Sequence, residues 1–203
     1  MRRYSAFLLA FLLFISCARK EYEEDRRTIN MIKAEKDNFS RLLEKGNAYL
    51  MMKKYGLAKL YYEEAEKVNG TDPVVHFNLG LVWDEMGKLD KAAESYTRAI
   101  ELDRTYVKAL LNLGLVFLKK KDYVSALKYF NDTLLYSPDN KLALFNKALV
   151  LHKTSPERAL DAWYDFYEAA KNDPSQYQNV NRAIGYIEAL EKKYGSDQSD
   201  LQD

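Results

Sequence analysis

The segment Asn78-Leu79-Gly80-Leu81-Val82-Trp83 returns 34 residues later as Asn112-Leu113-Gly114-Leu115-Val116-Phe117. A weaker copy, Asn146-Lys147-Ala148-Leu149-Val150-Leu151, follows after another 34, and Glu44-Lys45-Gly46-Asn47-Ala48-Tyr49 precedes the first by the same interval. A period of this length, held through four copies, restricts the chain to folds in which one small unit is stacked on the next. Only 8 glycines and 4 prolines occur in 203 residues, which suits a chain made mostly of helix. The spacing predicts helices over about 39–53, 55–68, 73–86, 89–102, 105–120, 123–135, 140–153 and 156–172. Asp72-Pro73 and Ser155-Pro156 each set a capping side chain before a proline at a helix start, while Gly56, Gly70 and Gly87 mark turns.

Each copy is followed by a second set of small and aromatic residues. The second unit supplies Leu79, Gly80, Trp83, Ala92, Tyr96 and Ala99, and the third Leu113, Gly114, Phe117, Ala126, Phe130 and the closing Pro138. The first offers Gly46, Tyr49, Ala58, Tyr62 and Ala65, with Lys45 in the leucine place and Gly70 in the proline place. The fourth offers Ala148, Ala162, Phe166, Ala169 and Pro174, in step once two extra residues are allowed at the turn near Thr154-Ser155-Pro156. The pattern resembles the tetratricopeptide repeat, a helix-turn-helix unit of this period. The resemblance implies an all-α, right-handed solenoid of about four repeats, over 39–72, 73–106, 107–140 and 141–175. Small residues would let the two helices of a unit approach, and aromatic and leucine places would fill the space between successive pairs.

The chain begins differently. Arg2 and Arg3 precede an apolar run from Ala6 to Ile15, then Ser16 and the single cysteine, Cys17. That is the layout of a secretory signal over 1–16, too short for a transmembrane helix of about 20 residues. Phe14-Ile15-Ser16-Cys17 resembles the lipobox of bacterial lipoproteins, with phenylalanine in the usual leucine place. The resemblance implies acylation of Cys17, an exported, membrane-anchored protein and, from Ala18 in the next place, the outer membrane facing the periplasm. A lone cysteine excludes an internal disulfide framework. Residues 17–38 read as a lipidated N-terminus, a charged tether and a leading helical turn. Removal of Arg2 and Arg3 takes the formal charge from +1 to −1, so charge selects no partner and no nucleic acid is expected.

At the other end, Val180, Ala183, Ile184, Ile187, Ala189 and Leu190 recur at helical spacing within residues 176–194, with charged residues between them. A stack of repeats needs such a cap over its last apolar face. Residues 195–203 read as a polar, disordered tail.

Catalytic chemistry is not indicated. His76 and His152 lie in different repeats, no phosphate loop is present, and no metal or cofactor is expected. In Tyr61-Tyr62, Tyr129-Phe130, Trp163-Tyr164 and Phe166-Tyr167, at least one ring of each cluster fills an inter-repeat place, and the leftover rings offer a protein-binding patch.

Asn78, Asn112 and Asn146 head three consecutive units. In peptide-binding members of the family an asparagine in this place faces the concave groove and hydrogen-bonds an extended peptide backbone. Helices packed about 8–10 Å apart and a chain rising about 3.3 Å per residue would put one rung at roughly every third residue. Phe77, Leu81, Leu111, Leu115, Leu118, Phe145 and Leu149 fall on the same expected face; the alternative is that the amides solvate that face or bond internally. Asn47, Asn78 and Lys108 occupy three places of the carboxylate clamp of chaperone-tail-binding members, but Leu43 and Asn112 replace two of its basic residues. The reading is a lipid-anchored scaffold that binds an envelope protein or peptide segment, held to the membrane through Cys17, its oligomeric state open. The alternative is an accessory of a periplasmic solute-binding protein or transporter that handles a small hydrophobic ligand.

Overall fold

The computed structural model describes residues 39–194 and, before them, Arg26 alone. The expected signal, Cys17, the leading turn and the tail 195–203 lie outside the described residues. Within them the chain forms α1 (Phe39–Met51), α2 (Tyr55–Val68), α3 (Pro73–Glu85), α4 (Leu89–Leu102), α5 (Val107–Lys119), α6 (Tyr123–Tyr136), α7 (Lys141–Thr154), α8 (Pro156–Ala170), a short 3-10 turn (Pro174–Gln176) and α9 (Tyr177–Tyr194). Among the described residues there is no strand, so the fold is an all-α helical repeat. None of these helices is long and apolar enough to cross a membrane. The chain divides into two compact units, Met1–Asn78 and Leu79–Asp203, with the boundary inside α3.

In the first unit, α2 buries Ala58, Tyr61, Tyr62 and Ala65, one face at helical spacing, while α1 offers Leu42 and Gly46. A Cβ on Gly46 would lie 2.4 Å from the Tyr62 ring, so the absent side chain is what lets the two helices close. The second unit repeats the device: a Cβ would meet Tyr96 at 2.5 Å from Gly80 and Phe130 at 2.7 Å from Gly114. These three ring partners are fully buried.

The last core gathers around α8, whose Trp163 and Phe166 are fully buried against Phe145, Ala148 and Leu151 of α7 and against Val180, Ala183, Ile187 and Leu190 of α9. Helix α9 therefore covers the apolar face that α8 would otherwise leave to water. Lys141 at the start of α7 reaches Asp173 at 2.6 Å, and Asp173 in turn accepts from the Ser175 N–H at 2.9 Å, holding the 3-10 turn that leads into α9. The Lys141 ammonium, and then the Ser175 hydroxyl, keep the Asp173 carboxyl down at about 2.

Three local expectations need correction. Gly56 lies inside α2; the left-handed turn position of the first unit is Lys53 (φ 58), matched in register by Gly87 (φ 71) and Lys121 (φ 61). Ser155 makes no side-chain cap to α8, although Asp72 does accept from the Val74 N–H at 2.9 Å. The two extra residues of the fourth unit are not in its turn, which shrinks to Ser155 alone. They are wound into α7 and α8, so that Phe166 takes the buried aromatic place while Tyr164 turns outward.

Candidate functional site

The first helix of each repeat carries the residues expected to line a groove. On α5, Lys108 is exposed and Leu111, Asn112, Leu115 and Leu118 are half-buried. The three leucines pack in part against Ala126 and Phe130 of α6 and Val150 of α7, so each divides its surface between the inter-repeat core and solvent. On α7, Leu149 is half-buried, whereas Asn146 and Phe145 are each only 7% exposed. The Phe145 ring meets Trp163 and Phe166 edge-on at 5.5 and 5.1 Å, which leaves little of it to a ligand. On α3, Leu81 and Phe77 are half-buried and Asn78 is buried.

Two of the three rung amides, Asn112 and Asn146, have internal partners. Asn112 Nδ2 donates to the Lys108 carbonyl at 2.8 Å and Asn146 Nδ2 to the Leu142 carbonyl at 2.7 Å, each one turn back on its own helix. Such a bond fixes the rotamer and uses one of two N–H groups, leaving the amide oxygen as an acceptor. Asn47, in the first unit, accepts the Tyr62 hydroxyl at 2.7 Å.

The expected surplus rings are mostly spoken for. Tyr61 stacks on Tyr49 at 5.3 Å and Tyr129 on Phe117 at 5.5 Å, each inside its own repeat. Tyr164 is exposed and donates its hydroxyl to Glu191 of α9. Burial pushes the Tyr62 and Tyr96 hydroxyls well above the ordinary phenol range, with Asp84 and Glu85 adding to the shift at Tyr96. His76 bonds the Gly70 carbonyl through Nε2 at 2.9 Å, while His152 lies against Tyr186, ring centres 4.6 Å apart. Among the described residues no three His, Cys, Asp or Glu side chains are grouped to hold a metal ion.

A second feature lies on the other helices of the repeats. A cleft of about 380 Å³ opens between the last turns of α4 and α6, with Leu110 of α5 among its walls. Ile100, Tyr129, Leu135 and Tyr136 supply its apolar surface, and Thr97, Glu101, Arg104 and Asp132 its polar groups.

Comparison with known proteins agrees with the helix pairing. Two family profiles described as tetratricopeptide repeat match residues 40–72 and 111–176, and one described as TPR repeat matches 85–121. The chain belongs to the tetratricopeptide-repeat family. It is similar to the tetratricopeptide repeat domain-containing protein PYG7, chloroplastic, of Arabidopsis thaliana, with 36% identity over 106 residues, covering 50% of this chain and 35% of that protein. Hsp70-Hsp90 organizing protein 2 of the same plant is 31% identical over 98 residues, covering 48% of this chain and 17% of its own length. The chain thus spans a minor part of either relative. Among solved structures, that of the MamA protein superposes with a TM-score of 0.65 at 20% identity, over 78% of this chain and 90% of its own. That likeness concerns the fold.

Within these tetratricopeptide repeats the cleft is what sequence reasoning missed. Its trace was the run Leu134-Leu135-Tyr136, longer than one buried helical face requires; Leu135 is 72% and Tyr136 45% exposed. An apolar residue is ordinarily assigned to the core, and only the packed helices tell which one is left outside.

Proposed function

We propose that this chain is a non-enzymatic binding scaffold, anchored through acylated Cys17 in the bacterial envelope, that receives a partner protein or peptide segment on the first helices of its repeats. The observation that carries the reading is α5. Its exposed face presents Lys108 and the Asn112 amide beside the partly open Leu111, Leu115 and Leu118, a mixture of backbone-reading and apolar contacts on a rigid element. The relatives support a binding role: one is named for organizing Hsp70 and Hsp90, two partner proteins. The outer membrane and the periplasmic face follow from Ala18 and the lipobox resemblance alone.

The test uses a double substitution outside the core, Lys108→Glu with Asn112→Ala. Crosslinking in the native envelope followed by mass spectrometry should recover a partner with the wild-type chain and lose it with the variant. Each neutral hydrogen bond nets about 0.5–1.5 kcal/mol, and bonds to a charged group more, so a clear drop in recovery is expected. Equal recovery of the same partner by a folded variant rejects this face as the binding surface.

A second reading, an accessory that hands a small hydrophobic ligand to a transport system, is favoured by the partly apolar cleft between α4 and α6. Association with a periplasmic solute-binding protein in the same crosslinking experiment would select it over the scaffold.

A further inference from the structure

We infer that the cleft between α4 and α6 binds an apolar carboxylate: an aliphatic or aromatic body ending in one carboxylate group. The inference deepens the second reading but needs no transporter. Its first basis is shape. Leu110, only 3% exposed, gives the cleft a buried apolar wall, Ile100 and Tyr129 are half-buried beside it, and the exposed Leu135 and Tyr136 extend the apolar surface to the rim. At about 380 Å³ it falls within the usual range of small-ligand sites. Two large apolar side chains in the final turn of one helix, Leu135 mostly and Tyr136 nearly half in water, gain free energy from any apolar body that covers them.

The second basis is charge. The two carboxylates of the lining are already paired along their own helices: Arg98 holds Glu101 at 2.9 Å and Lys128 holds Asp132 at 2.7 Å. Arg104, exposed in the turn after α4, makes no ion pair among the described residues. The cleft and the cations bound to it therefore leave one positive charge unmatched, on the side chain whose planar fork suits a carboxylate. A cationic ligand would add to that excess, and a neutral one would leave it unanswered. The apolar body would lie along Ile100, Leu110 and Leu135, with its carboxylate on Arg104.

This chemistry has two sources, a free fatty acid and the C-terminal residue of a peptide. The full chain should be titrated with decanoate and 1-decanol, and with a short peptide ending in leucine as free acid and as amide. Ring resonances of Tyr129 and Tyr136 would be followed by NMR. Saturable shifts from decanoate identify the free acid, and shifts from the peptide acid identify the C-terminus. In either case the uncharged analogue should bind about tenfold or more weakly, and Arg104→Gln should weaken the acid by a similar factor, as loss of a charge-assisted pair requires. Leu135→Gln, which removes the rim contact without adding charge, should weaken the acid while leaving the far-ultraviolet circular dichroism unchanged. Equal binding of acid and uncharged analogue, an unchanged titration with Arg104→Gln, or no saturable shift from either acid overturns the inference. None of these results depends on a solute-binding protein, so the cleft and the transport role can fail separately.

Discussion

One methyl group separates Gly114 from alanine, and its effect depends on what it would touch. In an open helix interior, alanine is favoured over glycine by about 1 kcal/mol. At Gly114 the new Cβ would sit 2.7 Å from the Phe130 ring, which is fully buried and has nowhere to retreat. Overpacking of that kind costs about 1–3 kcal/mol and outweighs the gain in helix propensity. Gly114→Ala is therefore expected to lower stability by about 1 kcal/mol or more, whereas Gly185→Ala, on α9 with nothing within 4 Å, should raise it by about 0.5–1 kcal/mol. Urea unfolding followed by circular dichroism gives both signs, and a stabilising Gly114→Ala would refute the account of helix closure. Ala148 marks the other solution. The fourth repeat keeps its methyl and carries its aromatic, Phe166, two places further along the chain than the strict period would put it.

At the scale of elements, the attachment of α9 has a dependence on acid that follows from Asp173. Its carboxyl is held at about 2 against an ordinary 3.8, first by the Lys141 ammonium and next by Ser175. A carboxylate depressed in the folded state contributes fully above the unfolded value and loses that contribution as pH falls toward the folded one. The contacts leading into α9 should therefore weaken between pH 3.8 and about 2. Trp163, stacked on Tyr186 of α9 at 4.8 Å, reports the change by fluorescence in a Trp83→Phe background. Asp173→Asn should abolish that step and leave α9 less protected from hydrogen exchange at neutral pH; an unchanged acid step in this variant would remove Asp173 as its cause. The helix itself was legible from Val180, Ala183, Ile187 and Leu190, because a buried stripe at helical spacing is a local signal. The ion pair that fastens its approach was not, since Lys141 and Asp173 stand 32 residues apart and carry no motif.

For the whole molecule, what could be read in advance was what the period repeats. Gly46, Gly80 and Gly114 against Tyr62, Tyr96 and Phe130 recur at one interval, so a single unit, once understood, explains the next. The candidate sites do not recur. Phe145 shares the register of Leu111 yet goes to the core, because α9 and the shifted rings of α8 close over it, and the cleft needs Arg104 and Leu135 brought together from separate repeats. The membrane reading rests on the opposite kind of signal, a short linear motif ending at Cys17. Its physical consequence is definite: a single acyl chain holds a protein to a bilayer only marginally, whereas several together hold it stably. Cells fed an alkyne-tagged fatty acid should therefore label the wild-type chain and retain it in the membrane fraction, while Cys17→Ser should lose the label. Mass spectrometry of the N-terminus should accompany the fractionation: a mature wild-type chain beginning at acylated Cys17 supports the anchor. An unlabelled wild-type chain rejects the acyl anchor, and equal labelling of the serine variant places it at a residue other than Cys17.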